Sequence, residues 1–167
     1  MKKTCLILLT ILSVASSYAQ KVTKGSFSAL ANEKTVSISI DYSESTIDKV
    51  PFEAFLEVED KWEEGYDEIM LKLIKSVNRN SGGIIYTKKG ETNYRLVFKA
   101  TSVDRDGETN GYLQLLDKDD KIVGVAEKFN ANGGSFGSQT NLMGDAAERL
   151  GKKISQFVRK QIKTGTH

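Results

Sequence analysis

The sequence predicts a single α+β domain: a mostly antiparallel sheet of about four to five strands with two main helices packed on one face. Three observations carry this. "TVSISIDYS" (35–43) puts Val36, Ile38, Ile40 and Tyr42 on one face and Thr35, Ser37, Ser39 and Asp41 on the other, the period of two of a half-buried strand. Between 52 and 79 the spacing changes to three and four, with Trp62, Tyr66, Ile69, Met70, Leu73, Ile74 and Val77 forming one helical stripe. Beyond 80, strand patterns joined by turn chemistry run until a second helical stripe, Leu142, Ala146, Leu150, Ile154, Phe157 and Val158. Strand, helix, hairpin strands, helix is the order of an antiparallel sheet covered by helices on one face.

The chain opens with Lys2 and Lys3, an apolar run from Cys5 to Ala15 and the small-residue stretch "SSYA". That is the form of a secretory signal, with residues 1–19 removed between Ala19 and Gln20. The run is about half the ~20 residues that cross a bilayer. Taking away Lys2 and Lys3 reduces 24 basic residues to 22, equal to the 22 acidic ones. A balanced chain has no long-range pull toward nucleic acid. The one cysteine, Cys5, leaves with the signal and sits at the start of its apolar run, unlike the acylated cysteine of a lipoprotein. Neither a disulfide nor a thiolate is then expected, even in an oxidising compartment.

Residues 20–34 are polar and aperiodic, an amino-terminal arm or first strand; 35–163 form the domain; 164–167 are a disordered tail. "SESTIDKVP" is loop chemistry ending at Pro51, the only proline, which suits a first helical turn. In the 52–79 segment acids come early and Lys72, Lys75 and Arg79 late, matching the helix dipole. Gly65 and "EVEDK" point to a short helix followed by a longer one. "GGIIYT" (82–87) reads as a short strand, and "YRLVFKATS" (94–102) alternates Tyr94, Leu96, Phe98 and Ala100 against Arg95, Val97, Lys99 and Thr101. Asp106-Gly107 marks one hairpin and Lys118-Asp119-Asp120 another.

The glycine-rich stretch "NANGGSFGS" before the last helix lacks the lysine of a phosphate-binding loop, and the Lys152-Lys153 pair lies inside the helix with no glycine at the required spacing. It reads as a hinge. "DRDGE" (104–108) places acids at alternate positions, but an EF-hand would need glycine where Thr109 stands and glutamate where Leu115 stands. The sole histidine is His167, which leaves no histidine for a triad or a zinc site. No cofactor or metal is expected. Among the acids Asp41, with Ser43 and Ser45 nearby, is the one to inspect, with turn and capping duty ahead of catalysis. Candidate binding residues are the aromatic pair Trp62 and Tyr66, one helical turn apart, and the tyrosines Tyr86, Tyr94 and Tyr112, which are expected on neighbouring strands.

The "SSYAQ" processing region, "ISIDYSESTID", the helix led by Trp62, "NYRLVFKATSVD" and the closing "GGSFG…AAERLGKKISQFV" together resemble small exported proteins of Bacteroidetes that have no assigned activity. More distantly, the element order is similar to the α+β domains of the curli-secretion lipoprotein family and of the Tol β-propeller protein's amino-terminal domain. The resemblance implies an envelope protein that works by contact. The expected function is an exported, periplasmic or secreted, non-catalytic adaptor for an unknown envelope protein, with "GGIIYT" as the edge strand for pairing. A small-molecule or glycan binder is the alternative, and a carboxylate-based hydrolase the third reading.

Overall fold

A computed structural model of the chain describes residues 20–164. Ala19, Cys5 and His167, and with them the signal and the final histidine, lie outside the described residues. The elements are β1 (Lys21–Gly25), a 3-10 turn (Ser28–Asn32), β2 (Thr35–Asp41), β3 (Thr46–Ile47), β4 (Val50–Pro51), α1 (Phe52–Leu56), α2 (Trp62–Arg79), β5 (Ile85–Thr87), β6 (Tyr94–Val103), β7 (Thr109–Asp117), β8 (Ile122–Ala131) and α3 (Gln139–Thr164).

The expectation of four to five mostly antiparallel strands is wrong. Among the described residues eight strands form one mixed sheet in the order β1-β8-β7-β6-β2-β5, with β3 beside β6 and β4 beside β3. β2 lies between β5 and β6 and runs parallel to both, with Val36 opposite Tyr86 and Ile38 opposite Leu96. β3 continues beside β6, also in parallel. The sequence reading put β5 at the head of a series of hairpin strands and left the strand order open. Instead α2 returns the chain to the far side of β2, as a helical crossover between parallel strands requires, and residues 88–93 carry it to the other side. The remaining strands escaped notice because two-residue β3 and β4 are too short to show a period. They form a tight hairpin whose two turn residues, Asp48 and Lys49, both have positive φ. Among the described residues there are three α-helices: beside the two main ones, α2 and α3, the short α1 is set off from α2 at residues 57–61, where "EVEDK" pointed to a break.

Side chains on one face of the sheet, among them Val36, Ile38, Leu96, Phe98, Leu113, Leu115 and Phe129, are buried beneath α2 and α3. A chain of edge-on rings crosses this core: Phe98 with Phe129 at 6.4 Å, Phe129 with Phe157 at 5.4 Å and Phe157 with Phe27 at 5.0 Å. The two helices lie side by side and run the same way, since Gly65 packs on Thr140 and Gly82 on Arg159. Small residues at one-turn spacing on α3, Gly144, Ala147 and Gly151, let the backbones come close. A Cβ on Gly151 would lie 2.7 Å from the Leu73 carbonyl oxygen.

The glycine-rich stretch joins β8 to α3. Gly133 passes so close to the Asp106 carbonyl that a Cβ would collide with it, and Gly137 has φ of +119°, a region that favours glycine. These demands come from close packing and from the reversal of the chain.

Candidate functional site

No helix among the described residues covers the second face of the sheet. It presents Ser39 and Asp41 from β2, Arg95, Val97 and Lys99 from β6, and Gln114 and Leu116 from β7. Where this face meets the start of α2, a cleft of about 580 Å³ opens, walled by Phe52, Trp62 and Tyr66. Alternation in β2, β6 and β7 builds the floor: residues of one parity enter the core, and those of the other parity remain outside.

The aromatic wall is part of a local ring cluster. Trp62 meets Tyr42, Phe52 and Phe55 edge-on at 5.6, 5.0 and 5.8 Å and Tyr66 at a tilt at 5.7 Å. Tyr66 donates its hydroxyl hydrogen bond to the Ile40 carbonyl at 2.8 Å, and Lys88 lies over its ring at 5.5 Å. Burial, followed by the negative field of Asp41, raises the Tyr66 phenol above its ordinary value.

Asp41 receives a 2.7 Å hydrogen bond from the Lys99 ammonium and a 2.8 Å bond from the Ser43 amide. Partial burial pushes its carboxyl up, but the Lys99 bond and the bonds from Ser43 outweigh that and bring it below the usual range. The Lys99 ammonium is raised, chiefly by its bond to Asp41. Ser45 donates to the Tyr42 carbonyl at 2.7 Å. Asp41 thus binds a lysine and holds a turn. The pair's stability is present above the unfolded carboxyl value of about 3.9 and lost as pH falls through the depressed folded value; at the other limb it is lost as pH rises through the raised Lys99 value. Asp41→Asn is expected to lower stability by no more than about 1 kcal/mol at pH 7, because both groups are partly solvated. Urea melts of both proteins at pH 7 and near pH 2.5 check this: the difference should shrink in acid, and an equal difference at both would reject the ion pair as its source.

The structure brings Trp62 and Tyr66 into one cleft, together with Asp41. The three tyrosines are not brought together. Tyr86 is buried on the helix side opposite Val36, Tyr94 packs partly against the same core, and Tyr112 lies opposite Lys99 on the uncovered face. Sequence reasoning did not single out Phe52, Lys99, Gln114 or Arg95. The alternation of β6 did put Arg95 and Lys99 on one face, but only the parallel pairing places Lys99 beside Asp41. "DRDGE" is a turn: Asp104 accepts hydrogen bonds from the amides of Asp106 and Glu108 at 3.0 and 2.8 Å. Among the described residues no group of three or more histidine, cysteine or acidic side chains is placed to hold a metal ion, and no helix is long and apolar enough to cross a membrane.

β5 is an edge strand, as "GGIIYT" was expected to be, but its outward-facing backbone is occupied. Asn78 of α2 donates to the Tyr86 carbonyl and accepts from the Tyr86 amide, each at 2.8 Å. One side-chain amide thus takes the place of a neighbouring strand. Tyr66 does the same for the Ile40 carbonyl, and the opposite edge, β1, carries Lys21 and Lys24. Occupied backbone groups and edge lysines both discourage strand addition.

No family model and no curated protein sequence matches the chain. Among solved structures, the chain is similar to two crystal forms of the PelC dodecamer from Paraburkholderia phytofirmans, with TM-scores of 0.40 and 0.43. Both are 12% identical, and the match covers 82% of this chain and 96% of theirs. A DUF330 protein from Xanthomonas campestris has a TM-score of 0.35 at 13% identity, covering 80% of this chain and 85% of its own. The structural neighbours thus include PelC and DUF330 proteins, at scores that assign neither a shared fold nor an activity.

Proposed function

We propose that the chain is an exported, non-catalytic binding module of a Gram-negative envelope, and that it holds a segment of a partner protein in the cleft between the aromatic wall and the uncovered sheet face. The cleft itself is the observation that carries this: Phe52, Trp62 and Tyr66 stand beside a floor of paired and neutral polar groups, with Val97 and Leu116 between them. Apolar area with a few directed polar groups is the composition of a specific contact surface. Export rests on the first nineteen residues. The non-catalytic reading rests on Asp41, whose carboxylate is engaged by Lys99 and Ser43. With Asn78 and Tyr66 occupying the edge, binding through side chains is favoured over strand addition to β5.

The same cleft favours a second reading, a small-molecule or glycan ligand, because aromatic faces beside hydroxyl, amide and charged groups also suit a sugar. Trp62 is the only tryptophan, so its fluorescence reports on this cleft alone. Photo-crosslinking in the host envelope, with probes at Gln114 and at Ile85, tests the proposal. A saturable protein adduct from Gln114 with none from Ile85 is expected. Adducts from Ile85 alone would overturn the cleft assignment. No adduct, with Trp62 emission saturably changed by oligosaccharides, would replace the protein partner by a glycan.

A further inference from the structure

α3 turns one face to the core and a face without acids to solvent. From Arg149 to Lys163 the sequence holds six basic residues and no acidic one. Leu150, Ile154, Phe157 and Val158 are buried, whereas Lys152, Gln156, Arg159, Lys160 and Lys163 are exposed. Spacings of three and four line up Arg149, Lys152, Gln156, Lys160 and Lys163 as one ridge, roughly 21 Å long at the helical rise. Two shallow clefts, of about 400 and 440 Å³, lie along this ridge and meet at Gln156. One of them is bounded by Ala131 and Asn132 at the end of β8. Cations line both clefts, and an acid lines neither.

Dipole complementation is confined to a helix's last turn, and Arg149, Lys152 and Lys153 stand well before it. Nor does a carboxylate neutralise them. Arg149 donates to the carbonyls of Asn132, at 2.7 Å, and Gly133. Lys153 donates to the Asn130 carbonyl at 2.6 Å and to its side-chain Oδ1 at 2.9 Å. Neutral acceptors thus hold two cations in place and leave their charge uncompensated. Among the described residues no ion pair engages Lys152, Arg159 or Lys160. The acids of α3, Asp145 and Glu148, precede the ridge and pair with Lys72 and Arg79 of α2 at 2.7 and 3.6 Å.

The lining also limits what binds there. None of the exposed large apolar side chains falls between Arg149 and Lys163. The ridge therefore lacks the inserting residues of a membrane-surface helix and the apolar centre of a protein interface. No aromatic side chain lines either cleft, which removes the stacking platform that single-stranded nucleic acid uses. A hydrophilic chain with repeated negative charge fits what is left. We infer that the groove along α3 binds a linear acidic polysaccharide, its carboxylates paired in turn with Arg149, Lys152, Arg159 and Lys160. The balanced charge of the whole chain removes long-range attraction, so capture takes place within the screening length, about 10 Å at 0.1 M salt. None of the ridge residues lines the aromatic cleft, so the inference stands or falls separately from the proposed function.

Isothermal titration of polygalacturonate into the full chain, purified as its host produces it, tests this. Saturable binding is expected in about 20 mM salt, at least about tenfold weaker near 300 mM as the charges are screened. Trp62 emission should not change, because Trp62 belongs to the other cleft. Lys152→Glu with Lys160→Glu should weaken binding at least about tenfold at low salt, while Lys152→Arg with Lys160→Arg should retain it. Lys21→Glu with Lys24→Glu changes the net charge equally on β1 and should leave binding intact. Circular dichroism checks that every variant remains folded. No binding at low salt overturns the inference, and so does an equal loss from the β1 pair, which would mean attraction by the chain as a whole. Binding that ignores the α3 pair and shifts Trp62 emission overturns it by moving the ligand to the aromatic cleft. Tighter binding of single-stranded DNA or of anionic phospholipid vesicles, lost with the α3 pair, would overturn the polysaccharide in favour of that polyanion.

Discussion

Phe129→Ala is expected to be among the most damaging single changes in the chain, lowering stability by about 3–5 kcal/mol, the range for removing a buried aromatic ring. Phe129 is 1% exposed and lies in the middle of the ring chain, touching Phe98 of β6 and Phe157 of α3. Its loss opens a cavity between sheet and helix and removes two edge-on contacts together. The helices above already pack closely on each other at Gly151, which limits how far they settle into the space. Chemical denaturation should show a lower midpoint with an unchanged slope. A loss below about 1 kcal/mol would mean that the site relaxes freely and that Phe129 is not central to the core.

The second large effect is expected at Gly151. Gly151→Val places a branched side chain where the Leu73 carbonyl, the Ser76 Cβ and the Val77 amide nitrogen lie within 2.7, 2.9 and 3.0 Å of a Cβ. Two of these three atoms are backbone, so relief requires α2 and α3 to separate. Ser76 would then lose its 2.5 Å hydrogen bond to the Glu148 carbonyl. Overpacking of this kind costs about 1–3 kcal/mol and more where backbone must move. Gly151→Ala should be milder and Gly151→Val more severe, in thermal melts of the two. Equal effects would point to helix flexibility instead of a steric limit, and a stabilised Gly151→Ala would show that the close approach is not tight.

The difference between these residues and the cleft explains what the sequence made legible. Helical stripes and the alternation of β2 and β6 are local properties, and they place Leu73, Phe98 and Leu150 in the core without knowledge of the partners. Strand order is not local. Nothing in "GGIIYT" or "YRLVFKATS" states that β2 separates them, because the pairing depends on where α2 returns the chain. The cleft inherits that difficulty. Trp62 and Tyr66 were recognisable from their spacing and Asp41 from its place at a strand end. Lys99 and Gln114 joined them only through the order β2-β6-β7. The tyrosines illustrate the converse: Tyr112 falls on the opposite face from Tyr86 and Tyr94 because its strand pairs it with Lys99.

The pairing of β1 with β8 has a kinetic consequence. Lys21 lies opposite Glu127, so the first strand closes the sheet against the last one. A chain delivered amino terminus first through a membrane cannot complete this contact until β8, and so most of it, has crossed. The central parallel pair has the same character on a smaller scale, since Ser37 must wait for Arg95. Such long-range contacts slow folding, so a chain exported as proposed would stay threadable during passage and finish its sheet on the far side.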